Sequence, residues 1–160
     1  EAVSEFASRA GEKLRKQGSF ASQVYVFAHT SPFRPPPQFS RGVMVPLRRP
    51  TADSALLVAA AIAGMRRIYE PGYQLAKCGV MLLDLVESSL SQAELDLERG
   101  EGRDQSHLMG TMDQLNRRFG KRTVFVGSAG VPQAHEWAMR QERRTPQYTT
   151  RLADVPIARA

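Results

Sequence analysis

The sequence is poor in cysteine and in long hydrophobic runs. Its 160 residues include a single cysteine, Cys78, so no disulfide can form within the chain and a reducing cytoplasm fits best. The longest apolar run, residues 55–65, is too short to span a bilayer, and the sequence shows no signal peptide. These absences argue against a membrane protein and against a disulfide-rich secreted protein.

Motifs of catalysis and metal binding are equally scarce. The three histidines, His29, His107 and His135, lie far apart, and none has metal-ligand spacing to the cysteine. No glycine-rich loop of the phosphate-binding type is present. The sequence therefore predicts no catalytic residues, no metal and no cofactor in this chain.

A basic, moderately apolar composition is what the sequence does offer. Hydrophobic residues make up 42% of the chain, enough for one ordinary core or for one core with a small satellite. The formal net charge is +6 and the isoelectric point is near 10.0. This surplus favours a polyanionic partner, most often nucleic acid and less often an acidic membrane.

Hydrophobic periodicity predicts five elements in the first half of the chain. They are a helix over residues 3–17, strands over residues 22–30 and 42–49, a helix capped by Asp53, and a strand over residues 73–85. Pro46 predicts an edge position or a bulge for the second strand. The continuous apolar centre of the third strand, residues 78–83, is typical of a strand covered on both faces.

The order helix, strand, strand, helix, strand predicts an α+β fold. It is the order of a ferredoxin-like unit whose first strand is missing, with two helices covering one face of a mostly antiparallel sheet. Three parts follow: a module over residues 1–87, a polar linker over residues 88–105, and a small α/β segment over residues 106–160. That segment is predicted to contain a helix over residues 108–119, capped by Ser106, and a short strand over residues 123–126.

Two stretches suggest binding. The sheet face opposite the helices would carry Tyr25, Phe27 and His29, and four arginines lie at or near it: Arg34, Arg41, Arg48 and Arg49. Such a face suits a nucleic-acid backbone. An ordinary solvated sheet face is an equally weighted alternative.

The linker contains the second stretch, residues 92–97. It has the form Gln-x-x-Leu-x-Leu, and in an extended chain Leu95 and Leu97 point to the same side. The two leucines could enter one apolar pocket of a partner while Gln92 hydrogen-bonds. The alternative is a linker whose leucines pack back on a module.

Four runs of residues resemble a known family. They are Thr30-Ser31-Pro32-Phe33, Lys77-Cys78-Gly79-Val80-Met81-Leu82, Leu108-Met109-x-x-Met112-Asp113-x-Leu115-Asn116 and Gln147-Tyr148-Thr149-Thr150-Arg151. In this order they are similar to the C-terminal part of the UmuC family, the Y-family catalytic subunits of bacterial translesion DNA polymerases. The resemblance covers nearly the whole chain.

The resemblance implies a role for each part. Residues 1–87 would be the little finger, the DNA-gripping domain of Y-family polymerases, with DNA contacts from Tyr25, His29, Arg34, Arg41, Arg48, Arg49 and Lys77. Gln92, Leu95 and Leu97 would bind the sliding clamp, although Ala93 and Asp96 depart from the family's motif. Residues 106–160 would be the extra C-terminal domain of UmuC-type proteins.

The resemblance also places the chain in SOS mutagenesis and DNA repair. Palm, fingers and thumb, with the carboxylates that bind magnesium, would precede Glu1, so this chain alone would not polymerise DNA. Its partners would be DNA, the sliding clamp, processed UmuD and RecA, with no membrane and a nucleoid-associated cytoplasmic location. A sheet without its first strand also predicts an exposed edge and a possible homodimer. The alternative function is a stand-alone protein-interaction adaptor with only non-specific affinity for DNA.

Overall fold

The computed structural model describes residues 1–88, 105–130, 137 and 145–156. In these residues it contains three helices and three long strands, followed by two short 3₁₀ turns. The helices and strands are α1 (Ala2–Gln17), β1 (Ser19–Thr30), β2 (Ser40–Thr51), α2 (Ser54–Ile68), β3 (Leu75–Glu87) and α3 (Ser106–Phe119). The 3₁₀ turns are Gly127–Ala129 and Leu152–Asp154.

Helix α1 forms because its apolar residues recur on one side. Val3, Ala7 and Leu14 are buried, while most of the charged side chains of the helix are exposed. The helix ends at Gly18, which adopts the left-handed conformation with φ of 71° and donates its N–H to carbonyls of the last turn. The predicted helix and its glycine stop are confirmed.

Helix α2 begins where the sequence predicts. The Asp53 carboxylate accepts hydrogen bonds from the backbone N–H groups of Ala55, at 2.7 Å, and Leu56, at 3.4 Å. Leu57, Val58, Ala61 and Ile68 form its buried side, and the basic pair Arg66 and Arg67 lies in its last turn.

The sheet is antiparallel, with the strand order β2-β1-β3. Pro46 lies on the edge strand β2, opposite Gln23, which confirms the edge position inferred from the proline. The register between β1 and β2 shifts nearby, because Ala21 pairs with Thr51 whereas Gln23 pairs with Pro46. The last part of β2 is therefore bulged away from the regular ladder.

Both helices pack on one face of this sheet, which confirms the α+β class with two covering helices. The core contains Val24, Val26 and Ala28 of β1 together with Leu57 and Ala61 of α2. Gly64 allows a close approach, since a Cβ built there would lie 2.9 Å from a methyl group of Val26. The opposite sheet face has no covering helix among the described residues.

The expectation that β3 is covered on both faces is wrong. Cys78, Val80 and Leu82 pack against the core, whereas Met81 between them is 48% exposed. The strand is apolar on both faces although helices cover only one of them. Its apolar residues on the other face are part of the surface described below.

Two local predictions for the C-terminal segment are also corrected. Gln105, not Ser106, is the N-cap of α3. Residues 123–126 form no strand: the Asn116 side chain accepts a hydrogen bond from Val124 N–H (2.9 Å) and donates one to Val124 C=O (2.8 Å). Both backbone groups are thereby taken out of any ladder, and Arg122 before them has a left-handed φ of 69°.

None of the helices in the described ranges combines the length and the apolarity needed to cross a membrane.

Candidate nucleic-acid interface

The uncovered sheet face carries a row of three aromatic rings along β1. The rings of Tyr25 and Phe27 are stacked with centroids 6.0 Å apart, and those of Phe27 and His29 with centroids 6.3 Å apart. The interplanar angles are 27° and 12°. We call Tyr25, Phe27 and His29 the aromatic row.

Glycines in the flanking strands let the row lie flat. The Tyr25 ring lies over Gly42 of β2, and the Phe27 ring lies over Gly79 of β3, where an added Cβ would be 2.5 Å from the ring atom Cζ. Glycine inside a strand often marks such a close approach. The centre of the face is therefore flat, because the two glycines have no side chains and the rings of β1 occupy the space above them.

Register shows what flanks the row, since residues directly opposite in a sheet share a face. Tyr25 lies between Met44 and Met81, which are 56% and 48% exposed, and His29 lies between Ser40 and Lys77. The central part of the face is thus apolar and accessible. At the His29 end it carries the exposed cation Lys77.

The opposite end of the row is closed by a polar contact. Gln23 donates a hydrogen bond from Nε2 to the Asp84 carboxylate at 2.7 Å. Asp84 itself has a positive φ of 50°, and its carbonyl accepts a hydrogen bond from Ser22. This end carries a carboxylate and is a poorer surface for a polyanion than the Lys77 end.

The structure brings only some of the predicted DNA-contact residues to this face. Tyr25, His29 and Lys77 lie together on it. Arg34 lies in the loop that follows β1, where its guanidinium donates a hydrogen bond to Gln74 Oε1 at 3.0 Å. Arg41 lies opposite Ala28, which points into the core, and its guanidinium pairs with Glu70 at 2.8 Å and lies over the Phe39 ring.

The remaining predicted residues lie away from the regular part of the sheet or outside the described residues. Arg48 and Arg49 are exposed and lie in the bulged part of β2, away from the regular pairing with β1. Gln92, Leu95 and Leu97 lie outside the described residues, so their role as a clamp-binding motif stays a prediction.

The sequence reasoning missed the residues that shape the face. Gly42, Gly79, Met44 and Met81 were not among its candidates, although they complete the surface around the aromatic row. If β1 is known to be the central strand, two features of the sequence indicate this surface. They are the alternation of aromatic residues along β1 and the glycine in each neighbouring strand. The pairing register, which depends on long-range contacts, is what makes that signal readable.

The other side of the sheet is closed by helices and by the C-terminal segment. Arg15 of α1 donates two hydrogen bonds, each of 2.8 Å, to the two carboxylate oxygens of Asp113 in α3. The same guanidinium reaches Ala52 C=O at 2.7 Å and Ser54 Oγ at 2.9 Å, at the start of α2. We call this set the Arg15 junction.

Further contacts fix the C-terminal segment to α1. Arg122 pairs with the buried Glu5 at 2.6 Å, and Val126 packs against the main core. The Trp137 ring meets Phe6 edge-to-face, with centroids 5.6 Å apart. The described part of the C-terminal segment therefore packs on α1 and does not cover the half-buried aromatic row.

The described residues offer little for catalysis. They contain no group of histidine, cysteine and acidic side chains able to hold a metal ion. Burial raises the pKa of the Cys78 thiol above its ordinary value, so the thiol stays protonated at neutral pH and is a poor nucleophile. The flat aromatic face is instead suited to contact with the surface of a large partner.

Comparison with known proteins identifies the family. Residues 1–96 match the impB/mucB/samB family C-terminal domain, and residues 106–158 match a domain of unknown function, DUF4113. The chain is 36% identical over 160 residues to Protein ImpB of Salmonella typhimurium and 34% identical over 156 residues to Protein UmuC of the same species. It is 35% identical over 161 residues to Protein MucB of Escherichia coli.

These matches cover 97–99% of this chain but only 36–37% of each relative, so the chain spans a little over a third of their length. The match continues through both halves, from the sheet module to the segment that packs on α1. The α+β module with its uncovered sheet face fits the little-finger-like fold that the resemblance implied. The chain belongs to the impB/mucB/samB family and is homologous to the C-terminal region of its UmuC-type translesion DNA polymerases.

Proposed function

We propose that this chain grips primer–template DNA for a translesion polymerase and tethers that polymerase to its sliding clamp during SOS repair. The observation that supports the proposal best is the uncovered aromatic row with Lys77 at its end, in a chain of net charge +6. Among the described residues, helices and the C-terminal segment lie on the opposite side of the sheet, and none of them covers this face.

The form of the face favours contact with the DNA backbone and groove surface over reading of bases. The rings of Tyr25 and Phe27 lie flat over glycines and do not project, so they cannot reach far into a groove. Cations at the margin suit phosphates, which position a protein on DNA without specifying sequence. The DNA binding proposed here is therefore largely independent of sequence.

The remaining assignments belong to the same proposal. Magnesium and the polymerase reaction would belong to palm carboxylates outside this chain, which itself would be non-catalytic. The sliding clamp would be held by Gln92, Leu95 and Leu97. Processed UmuD and RecA would be further protein partners, and the working location would be the nucleoid in the cytoplasm.

A matched pair of lysine variants tests the DNA-binding part. Lys77→Gln removes a cation beside the aromatic row, and Lys13→Gln removes one exposed on α1, on the opposite side. Each phosphate contact contributes about 0.9 to the slope of log affinity against log salt, so we expect Lys77→Gln to lower the slope by about one unit. Fluorescence anisotropy with a primer–template duplex over a series of salt concentrations measures it.

In the same titration, Lys13→Gln should leave the slope nearly unchanged, and Arg48→Ala with Arg49→Ala should lower it by up to about two units. The loss should be similar for duplexes of different sequence. Equal slopes for all variants would instead support the second candidate, a protein-interaction adaptor with diffuse charge. The exposed Leu108 and Phe119 on α3, which are 56% and 62% exposed, favour that adaptor role for the C-terminal segment.

A further inference from the structure

The loop between β1 and β2 carries the most exposed large apolar side chain of the described residues. Phe33 is 95% exposed, although an aromatic ring of this size gains much from burial. It is followed directly by Arg34 and lies at the end of the sheet where the aromatic row finishes with His29. A single exposed apolar side chain is ordinary on a protein surface, so what distinguishes Phe33 is the loop that carries it and the cations around it.

The loop holds Phe33 in place by several contacts. Arg34 N–H donates to Ser31 C=O at 3.2 Å, and the Gln38 amide donates to Pro32 C=O at 3.1 Å. The bond from Arg34 to Gln74 ties the tip to the segment before β3. Four prolines further restrict the loop backbone: Pro32, Pro35, Pro36 and Pro37. These restraints act on the loop backbone, so less backbone entropy is lost there when a partner binds.

A shallow groove connects the loop to the aromatic row. It has a volume of about 400 Å³ and is lined by His29, Thr30, Pro32, Gln38, Phe39 and Ser40. His29 belongs both to this groove and to the aromatic row. An extended ligand on the sheet face could therefore continue into the groove and past the loop. The Nδ1 atom of His29 lies 2.9 Å from Thr30 C=O, which only accepts, so Nδ1 carries the proton and Nε2 is the ring atom left for a partner.

The charges at this end favour an anionic partner. Arg34 and Lys77 lie around the loop and the strand ends, whereas the charges of the nearby Arg41 and Glu70 are paired with each other. A bare aromatic tip among cations matches a nucleobase attached to its phosphate, because bases stack on aromatic rings while cations bind the backbone. The base must be unpaired, since the faces of paired bases are covered within the duplex stack.

We propose that Phe33, assisted by Arg34, stacks on an unpaired nucleobase of single-stranded DNA that leaves the duplex at this end of the sheet. The inference rests on the proposed DNA-gripping function and assigns the loop a separate task. The sheet face contacts duplex, whereas the loop tip contacts the single strand beyond it.

The test uses this chain and a primer–template with a single-stranded overhang of about ten nucleotides, within the site sizes of single-strand binders. 2-Aminopurine is placed at successive overhang positions. Stacking on Phe33 should quench its fluorescence at one or two of them. Phe33→Ala should abolish that quenching and weaken overhang binding by about fivefold or more, the lower end expected for one stacked base.

Two control variants make the result specific. Phe119→Ala removes another exposed phenylalanine with an arginine beside it, Arg118, and should change neither signal. Phe33→Trp should keep quenching and affinity, whereas Phe33→Leu should lose the quenching because it has no ring. Blunt duplex should bind Phe33→Ala as tightly as the parent. Since Phe33 is almost fully exposed, none of its variants should affect folding.

The outcomes separate the two proposals. Unchanged quenching and affinity in Phe33→Ala, while Lys77→Gln still lowers the salt slope, would overturn the stacking inference alone. Retained quenching in Phe33→Leu would also overturn it. Equal salt slopes for the parent, Lys77→Gln and the Arg48→Ala, Arg49→Ala double variant would overturn the DNA-gripping proposal, whatever Phe33 does.

Discussion

At the residue scale, Arg15 joins three elements with one guanidinium. It forms a bidentate pair with Asp113 of α3 and also reaches the start of α2 through Ala52 and Ser54. Both charged side chains are largely buried, with 14% and 17% exposed. Charge-assisted bidentate pairs are among the strong hydrogen bonds of proteins, and removing one partner leaves the other desolvated.

We therefore expect Arg15→Ala to lower the free energy of unfolding by about 2 kcal/mol or more. Asp113→Ala should cost less, because Arg15 keeps its bonds to Ala52 and Ser54. Lys13→Ala, an exposed cation on the same helix, should change stability by no more than about 0.5 kcal/mol. Urea unfolding followed by circular dichroism compares the three. A cost for Arg15→Ala no larger than that of Lys13→Ala would show that the junction does not hold the elements together.

Gly79 is a second residue whose environment makes a definite prediction. Replacing glycine inside a strand by alanine normally helps, because glycine loses more backbone entropy on folding. Here the added Cβ would collide with the Phe27 ring, which would have to leave its place in the aromatic row. We expect Gly79→Ala to destabilise the protein by about 1 kcal/mol, in the range of overpacking costs.

Gly110 in α3 provides the matched control of opposite sign. A Cβ at Gly110 meets nothing within 4 Å, so Gly110→Ala should stabilise the chain by about 0.5–1 kcal/mol through helix propensity. Thermal unfolding of both variants would compare them. Stabilisation by Gly79→Ala would mean that Phe27 does not lie over the β3 backbone.

At the element scale, the helices and strands were predictable because their signals are local. Asp53 caps α2, Gly18 ends α1 and Pro46 marks an edge strand, each for a reason contained in a few neighbouring residues. Contacts between distant residues were not predictable. Arg15 and Asp113 are 98 positions apart, and the hydrogen bonds of Asn116 to Val124 prevented a strand that the apolar run 123–126 favours.

The candidate site divides in the same way. The alternation along β1 was enough to place Tyr25, Phe27 and His29 on one face. The alternation could not show which cations lie beside these rings. Lys77 is brought next to His29 by the pairing register of β3, whereas Arg41 lies opposite a core residue and pairs with Glu70. Local periodicity thus predicted the middle of the surface, and long-range pairing determined its margins.

The linker motif makes the next prediction at this scale. Replacing Gln92, Leu95 and Leu97 together by alanine should abolish binding to the sliding clamp. Burial of a leucine side chain contributes about 1.5–3 kcal/mol in transfer terms, so a peptide contact should not survive the loss of both leucines. Titration of purified clamp against parent and variant measures it, and unchanged unfolding curves serve as the control. Equal clamp affinities would show that residues 92–97 are only a spacer.

At the scale of the whole molecule, the outer edge of β3 predicts association. β3 pairs with β1 along one side, and the described residues supply no strand on its other side. It is 13 residues long and contains no proline, unlike β2. Its regular pairing with β1 runs from Lys77 to Glu87, and long edge strands without proline tend to pair with further strands.

We expect this chain in isolation to form a two-fold dimer through that edge. Light scattering over a concentration series should show the mass rising from one chain toward two. A Lys substitution at an outward position of β3, Met81→Lys, should weaken the dimer because charge on an edge strand opposes pairing. A mass that stays at one chain up to high concentration would contradict the prediction.

Contacts with the C-terminal end of α1 hold both β3 and α3. Ser88, at the end of β3, donates its N–H to Gly18 C=O at 3.0 Å, and α3 is attached to Arg15 only three residues earlier. Residues 89–104 therefore join two elements, β3 and α3, that are both held at this end of α1. Sixteen residues extend to about 55 Å at most, so a chain anchored at both ends reaches about half that distance. Arg122, Val126 and Trp137 hold the C-terminal segment to α1 as well, so loss of the Arg15–Asp113 pair alone would leave both ends of this connection attached.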